Sequence, residues 1–267
     1  MRDFHCHLNH PELFLQRKDL WEEFVKTWGT GIIIPWVDPA YNSNMIKILS
    51  DRDDRLIFGC LGFHPCRVAE TLDEELIDIL RENYQMILNT AQWWNTSPRV
   101  GIGECGIDLH HCDKKTTLHQ QKRFAKQIVY AIANNLPIVV HSRDAFEQTQ
   151  EVMDQHPNAQ YYLHCRTYWW NETEKILSKH PTSVFGFGWV VTYPKATDTH
   201  EVCRKLPLSH IVLETDAPYL APQVMRGKQN TPSLITHTYA EVAKIHNISS
   251  DELISIQEAN WTRLWKR

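Results

Sequence analysis

The sequence has few of the features that stabilise exported or membrane proteins. It contains seven cysteines, an odd number, and no two of them have the Cys-x-x-Cys spacing. This favours reduced thiols in a cytosolic protein over a disulfide framework. No apolar run is long enough to span a membrane, and the first residues, Met1 to His5, contain no apolar signal core. We therefore expect a soluble, cytoplasmic protein with no membrane partner.

The sequence also lacks an excess of positive charge, low-complexity segments and any block of five or more charges of one sign. Its formal net charge is −4, which argues against a protein that coats nucleic acid non-specifically. An enzyme acting on nucleic acid remains compatible with this charge, because it needs only a local positive surface. With 42% hydrophobic residues and no linker, residues 1–267 are expected to form one globular domain.

Short β-like runs alternate with helical runs eight times along the chain. The apolar run Ile32-Ile33-Ile34 is typical of parallel strands that are covered on both faces. The alternation predicts an α/β fold, a (β/α)₈ TIM barrel, with an open doubly wound sheet as the competing architecture. The predicted strands are Arg2–His7, Gly31–Val37, Leu56–Phe63, Arg99–Glu104, Pro137–His141, Gln160–His164, Ser183–Gly186 and His210–Glu214.

Side chains that can bind metals lie at or just after the ends of six predicted strands. In a parallel barrel the carboxyl ends of all strands lie at one face, where active sites are built. We therefore expect these side chains to converge around divalent metal ions. They are His5, His7, His64, Glu104, His141, His164 and Asp216.

Two local patterns strengthen the expectation of a metal site. His5 and His7 are two positions apart on a strand, so their side chains share one face and can bind one ion, whereas Cys6 points to the opposite face. Glu104 lies in a glycine-rich segment, where backbone or ligand can approach closely. Its carboxylate could bridge two metal ions.

The remaining polar residues near these strand ends allow more than one interpretation. Asp108 could orient a ligand or cap its loop. Arg143 and Asp144 have the pattern of a structural ion pair at the start of a helix. Glu214 is expected to support the site from behind, and Asp216 to contact metal and water.

An ordered set of motifs carries a family resemblance that extends over nearly the whole chain. The chain resembles the TatD family of metal-dependent deoxyribonucleases, within the amidohydrolase superfamily. Each motif is weak by itself, but the ordered set is specific. The matching segments are Phe4-His5-Cys6-His7-Leu8, Gly62-Phe63-His64-Pro65, 102–108, 136–145, 213–220, 226–232 and 259–264.

The resemblance implies a site that holds one or two divalent ions, Mg²⁺, Mn²⁺ or Zn²⁺, and cleaves DNA, often from the 3′ end. It implies that Glu104 bridges the ions and that His64 lies near the substrate phosphate. The implied metal ligands are His5, His7, Glu104, His141, His164 and Asp216. The residues with predicted catalytic roles are Glu104, Asp216 and His64, and those predicted to contact substrate are His64, Arg143, Arg166, Arg226 and Lys228.

The chain departs from the family pattern at the mouth of the predicted site. The family usually has a Phe-Ser-Gly turn after the sixth-strand histidine, where this chain has Cys165-Arg166-Thr167-Tyr168-Trp169-Trp170. Asn9 replaces the usual aspartate after His-x-His-Leu. Tryptophans Trp169, Trp170 and Trp189 could stack unpaired bases or pack beneath a loop. These changes affect substrate identity more than the chemistry.

Three functions are compatible with these motifs. The first is hydrolysis of single-stranded DNA by an activated water, with Asp216 accepting its proton. The second is a metal-dependent deacylase acting on an ester or C–N bond, such as that of a D-aminoacyl-tRNA. The third is a non-catalytic subunit, against which the intact Glu104 and Asp216 argue. The resemblance also makes components of an antiphage defence operon possible partners.

Overall fold

Eight parallel strands form a single sheet in chain order in the computed structural model, which describes residues 1–37, 39–50, 57–67, 75–93, 100–165 and 168–265. The strands are β1 Arg2–Asp3, β2 Gly31–Pro35, β3 Ile57–Leu61, β4 Val100–Asp108, β5 Ile138–Arg143, β6 Tyr161–Leu163, β7 Val184–Phe187 and β8 Ile211–Leu213. The two edges of the sheet meet, because the Phe4 N–H donates to the Leu213 carbonyl oxygen at 2.9 Å. The predicted TIM barrel is confirmed, and the open doubly wound sheet is excluded.

Helices follow the strands and cover the outside of the barrel. On α5, for example, Phe124 and Ile128 are fully buried. No helix in the described ranges is both long and apolar enough to cross a bilayer. The helices are α1 Pro11–Phe14, α2 Arg17–Lys26, α3 Pro39–Ser50, α4 Leu76–Trp93, α5 Thr117–Ala133, α6 Phe146–Asp154, α7 Trp170–Lys179, α8 Thr197–Lys205, α9 Ile235–His246 and α10 Ser250–Trp265.

The inside of the barrel holds a cluster of buried apolar side chains. They come from β2, β3, β5, β6, β7 and β8, from Phe4 next to β1, and from three residues of α10. Trp261 packs edge-to-face against Phe4 and Phe58, with ring centroids 5.2 and 4.9 Å apart. Trp265 lies against Gly101 near the start of β4, where an added Cβ would come within 2.6 Å of its ring. Helix α10 therefore closes the end of the barrel that lies opposite the predicted site.

Strand β4 extends further than the sequence indicates. It runs to Asp108, so Glu104 lies inside the strand, next to a register shift between Ile102 and Cys105. The predicted strand end at Glu104 was wrong because the glycines let β4 continue closely alongside β5. A Cβ on Gly106, whose φ is +145°, would lie 1.9 Å from the His141 carbonyl oxygen.

Two cysteines form a disulfide that the sequence did not predict. Cys66 and Cys112 are bonded, with Cα atoms 5.4 Å apart, and are separated by 46 positions in the chain. The expectation of reduced thiols throughout was wrong for this pair. The fold brings the turn after β3 next to the segment after β4, and spacing along the chain does not reveal this proximity. The five remaining cysteines are not bonded to one another.

Candidate metal centre

The Glu104 carboxylate lies at the centre of the histidine cluster at the barrel mouth. Its Oε1 atom is 2.7 Å from His141 Nδ1 and 2.6 Å from His164 Nε2. Its Oε2 atom is 3.4 Å from His5 Nε2. The two carboxylate oxygens therefore face different histidines, an arrangement that lets one side chain contact two cations.

A second carboxylate completes the other side of the cluster. Asp216 Oδ1 lies 3.2 Å from His7 Nε2 and 3.8 Å from His5 Nε2. Ligand atoms of His5, His7 and Asp216 lie within 4.8 Å of one another, and so do those of His5, Glu104 and His164. The structure therefore brings all six side chains that were predicted as metal ligands to one place.

Asp108 holds His141 in position beside Glu104. Its Oδ2 atom lies 3.0 Å from His141 Nε2, and its Oδ1 atom accepts hydrogen bonds from the backbone N–H groups of His110 and His111. The Asp108 N–H in turn donates to Gln120 Oε1 at 2.8 Å. Asp108 therefore both orients a histidine and caps its loop, the two roles between which the sequence could not decide.

Asp3, which the sequence analysis did not single out, holds the two ends of the barrel sheet together behind the site. Its carboxylate accepts hydrogen bonds from the backbone N–H groups of His5 and Thr215 and from the Thr215 hydroxyl. Burial raises the pKa of Asp3 to about 8, although the hydrogen bonds from Thr215 oppose this shift. An acid two positions before His-x-His, on the same predicted strand, is the sequence signal that could have identified it.

Glu214 lies beneath the site and supports the residue after His164. It is fully buried, accepts a hydrogen bond from the Cys165 N–H and another from the Tyr162 hydroxyl. Burial raises the pKa of Glu214 to about 7, against the opposing charge of His164. Glu214 is not among the residues that line the mouth cavity, in keeping with the predicted supporting position.

The chemistry of the cluster fits divalent cations. Burial raises the pKa of Glu104, but the charge of His164 and hydrogen bonds from the histidines outweigh it and hold that pKa well below the usual value. Burial, reinforced by His164, lowers the pKa of His5 to about 4, so its ring is neutral. Both His5 ring nitrogens are buried and lack a hydrogen-bond partner within the described chain. A neutral His5 imidazole beside the ionised Glu104 carboxylate belongs to the donor set of Zn²⁺ and related ions, and a bound cation would replace the proton on His164.

The predicted substrate contacts divide into three groups. His64 and Arg143 line the mouth cavity, which has a volume of about 410 Å³. Arg226 and Lys228 are exposed on the loop after β8 and do not line it, so the structure does not bring them to the site. Arg166 lies outside the described residues.

The predicted ion pair between Arg143 and Asp144 was also wrong. Asp144 instead contacts His110, with 2.9 Å between Oδ2 and Nδ1, because its backbone adopts a φ of +52° at the end of β5. Arg143 remains directed to the cavity, where it adds a permanent positive charge.

The tryptophans that could have stacked bases lie away from the cavity. Trp169 is 58% exposed but lines a separate groove between α6 and α7. Trp170 lies beneath the Lys205 ammonium, and Trp189 packs against Tyr193. The aromatic side chain that does line the cavity is Tyr219, which is 45% exposed and 5.3 Å from the His7 ring. Tyr219 was missed because nothing in the sequence distinguishes it from the other residues of segment 213–220, which contains Asp216.

The family model described as "TatD related DNase" matches residues 2–266. The chain belongs to the TatD family. Among its TatD-family relatives, the uncharacterized metal-dependent hydrolase YabD of Bacillus subtilis is 26% identical over 99% of this chain and 98% of its own. YcfH of Escherichia coli K12, with the same description, is 26% identical over 98% of this chain and 94% of its own.

One relative is a human protein whose name describes an RNA nuclease. The 3′-5′ RNA nuclease TATDN2 is 27% identical over 98% of this chain, which spans 35% of the human protein. Solved structures agree in fold: the TatD homolog YJJV of E. coli K12 has a TM-score of 0.85, 23% identity and coverage of 100% and 98% of the two chains. This TatD-family chain is therefore a metal-dependent hydrolase with the family's barrel.

Proposed function

We propose that this TatD-family hydrolase cleaves phosphodiester bonds of DNA and removes nucleotides from the 3′ end of single strands, using two divalent ions. The observation that carries the proposal is the Glu104 carboxylate, whose two oxygens face separate histidine groups. Many nucleases and phosphatases use a pair of ions about 3.5–4 Å apart to stabilise both oxygens of an in-line displacement. A central carboxylate between two ligand groups suits such a pair.

The proposed metal ligands form two groups, one for each ion. His5, His7 and Asp216 would hold one ion. His141 and His164, whose facing nitrogens lie 3.3 Å apart, would hold the other, and Glu104 would bridge the two. When bound, the ions supply Lewis acidity and lower the pKa of a coordinated water. Four imidazoles favour Zn²⁺ or Mn²⁺ over Mg²⁺, which prefers oxygen ligands.

Asp216 and His64 perform the proton transfer and charge stabilisation in this proposal. Asp216 lies on the open side of the cluster, and the His7 hydrogen bond and charge outweigh burial to lower its pKa. Its carboxylate can therefore orient the attacking water and accept its proton. The Cys66 N–H lies 3.2 Å from His64 Nδ1, so this nitrogen accepts and Nε2 carries the proton. His64 Nε2–H can then donate to a phosphoryl oxygen.

Once metal ions are bound, the charge and size of the cavity suit the end of a DNA strand. Glu104, Asp108 and Asp216 line it, and they repel a phosphate until cations are bound. A volume of about 410 Å³ is at the small end of ligand pockets and suits roughly one nucleotide. Tyr219 at its edge offers an exposed ring against which an unpaired base can stack.

The proposal is tested with metal-free protein that is reloaded with Mn²⁺, Zn²⁺ or Mg²⁺ and given 5′-labelled single-stranded DNA. We expect a ladder of products that shortens from the 3′ end, and its loss when the 3′ end is blocked. Glu104→Gln should abolish cleavage, whereas Glu147→Gln, a change to an exposed acid on α6, should not. Absence of cleavage by metal-loaded protein on every DNA tested would refute the proposal.

The same panel separates the competing substrates. RNA is included because a human relative is named as an RNA nuclease. Preferential release of the amino acid from a D-aminoacyl-tRNA would favour the deacylase function, and bound metal without turnover would favour a non-catalytic subunit. Partnership with a defence operon stays a prediction from the family resemblance, and pull-down from the native host would test it.

A further inference from the structure

Cys66 and Cys112 lie at the rim of the metal centre, and the proposed mechanism uses neither of their sulfurs. Cys66 belongs to the 3₁₀ turn Pro65–Arg67 that follows β3, and it lines the mouth cavity. Cys112 lies in the segment between β4 and α5. The fold thus brings together two cysteines that are distant in sequence. They lie beside the site, where Cys66 is exposed and Cys112 is half-buried.

A third potential ligand lies beside the two sulfurs. Ligand atoms of Cys66, Asp108 and Cys112 all lie within 4.8 Å of one another. The Asp108 side chain is only 1% exposed, so its carboxylate is held beside the two sulfurs rather than in solvent. A disulfide does not require a neighbouring carboxylate, whereas a divalent ion bound by two thiolates gains a further ligand from one.

His111 offers a fourth ligand next to this cluster. Its Nδ1 atom lies 2.9 Å from Asp108 Oδ2, its ring is 62% exposed, and it directly precedes Cys112 in the chain. Two sulfurs, one carboxylate oxygen, and an imidazole or water make a tetrahedral set of the kind that binds Zn²⁺.

We propose that Cys66, Cys112 and Asp108 form a second metal site, which binds one thiophilic divalent ion such as Zn²⁺ when the disulfide is reduced. A dithiol reductant supplies two electrons and two protons, which break the S–S bond and give two thiols, and the reductant becomes a disulfide. Ion binding then releases the two thiol protons. The sulfurs must separate to about 3.8 Å for a tetrahedral ion with Zn–S bonds of about 2.3 Å.

Binding at this second site would reach the catalytic residues through two existing contacts. The Cys66 N–H donates to His64 Nδ1, and Asp108 accepts from His141 Nε2. The oxidised and metal-bound forms hold the two segments at different sulfur separations. The redox state of the cysteines and the supply of a thiophilic metal would thus affect the positions of His64 and His141 at the mouth of the barrel.

The test is a titration of oxidised and reduced protein with Cd²⁺, followed by ultraviolet thiolate-to-cadmium charge-transfer absorption. The histidine and carboxylate ligands of the catalytic centre give no such absorption, so the signal reports sulfur ligands only. We expect a saturable signal in the reduced protein, after any Cd²⁺ that the catalytic centre takes up silently, and none in the oxidised protein. Mass spectrometry after thiol alkylation confirms the redox state of each sample.

Matched variants decide which sulfurs are responsible. Cys66→Ser and Cys112→Ser should each lose the thiolate signal, whereas Cys165→Ser, a change to the other cysteine at the cavity, should retain it. Circular dichroism checks that each variant is folded, and the double variant Cys66→Ser/Cys112→Ser repeats the test if a single one is not. An absent signal in reduced wild-type protein, or one that survives Cys66→Ser, would overturn the proposal and leave the pair as a disulfide brace only.

Discussion

Asp108 and His141 form a hydrogen bond in which the carboxylate Oδ2 lies 3.0 Å from the ring Nε2. Because an ionised carboxylate only accepts, the ring must donate its Nε2–H. The nitrogen left to bind a cation is therefore Nδ1, which points at Glu104 from 2.7 Å. Asp108 thus selects the ring nitrogen that faces the proposed metal pair.

Asp108→Asn should weaken Mn²⁺ binding at the catalytic centre by about 10–100-fold. The amide can donate to Nε2, and this stabilises the wrong tautomer of His141. Isothermal titration calorimetry measures the affinity. Asp144→Asn is the matched control, because Asp144 contacts exposed His110 and its positive φ is tolerated by asparagine. Equal affinities in wild type and Asp108→Asn would rule out the positioning role.

His64→Asn should lower kcat on DNA by about 10²–10³-fold and leave metal content unchanged, as expected for loss of one charge-stabilising donor. Burial, with His141 adding to it, lowers the pKa of His64 to about 3. The ring is protonated only below that pH, so it acts as a neutral donor under assay conditions. The ratio of wild-type to variant rates should therefore be constant from roughly pH 5 to pH 9. A ratio that follows a titration curve in this range would show that His64 acts as a charged group.

Tyr219→Ala should weaken single-stranded DNA binding by about tenfold, since stacking on an aromatic ring contributes about 1–3 kcal/mol per base. Tyr219→Phe keeps the ring and should bind like wild type. Trp169→Ala serves as the control, because this exposed ring lines the groove between α6 and α7. KM and kcat on a short oligonucleotide separate binding from chemistry. A larger loss in Trp169→Ala would place the strand in that other groove.

Tyr162→Phe should reduce the free energy of unfolding by about 1–3 kcal/mol, because it removes a hydroxyl donor from the buried carboxylate of Glu214. Metal affinity should also fall, since Glu214 holds the residue that follows His164. Tyr161→Phe is the neighbouring control: its hydroxyl donates to the His156 carbonyl oxygen on the outer face of the barrel. Urea denaturation and metal titration of both variants measure the difference. Equal metal affinities in the two variants would contradict the supporting role of Glu214.

The barrel and the gathering of its polar residues could be predicted because both follow from one geometric rule. Parallel strands in a closed sheet end at the same face, so histidines after β1, β3 and β6 must be neighbours. The alternation of strands and helices along the chain is enough to apply this rule, without any knowledge of contacts. Residues such as His5 and His164, whose rings stack at 4.0 Å, could thus be assigned to one site from sequence alone.

Features that depend on local register or loop conformation could not be predicted. Glu104 lies inside β4 because a register shift lets that strand continue, and a propensity pattern does not encode the shift. The loop after β8 exposes Arg226 and Lys228, although both belong to a matching motif. The contact between Cys66 and Cys112 arises from two turns that become adjacent only after the barrel closes.

The packing of Trp261 on Phe4 joins helix α10 to the residue that follows β1. The Arg2 N–H likewise donates to the Tyr239 hydroxyl, 237 positions further on. A nascent chain halted after β8 and its loop would already carry every histidine and carboxylate of the cluster, yet its barrel would have no floor. A chain that stops before α10 should therefore remain inactive, although it already holds the whole set of ligands.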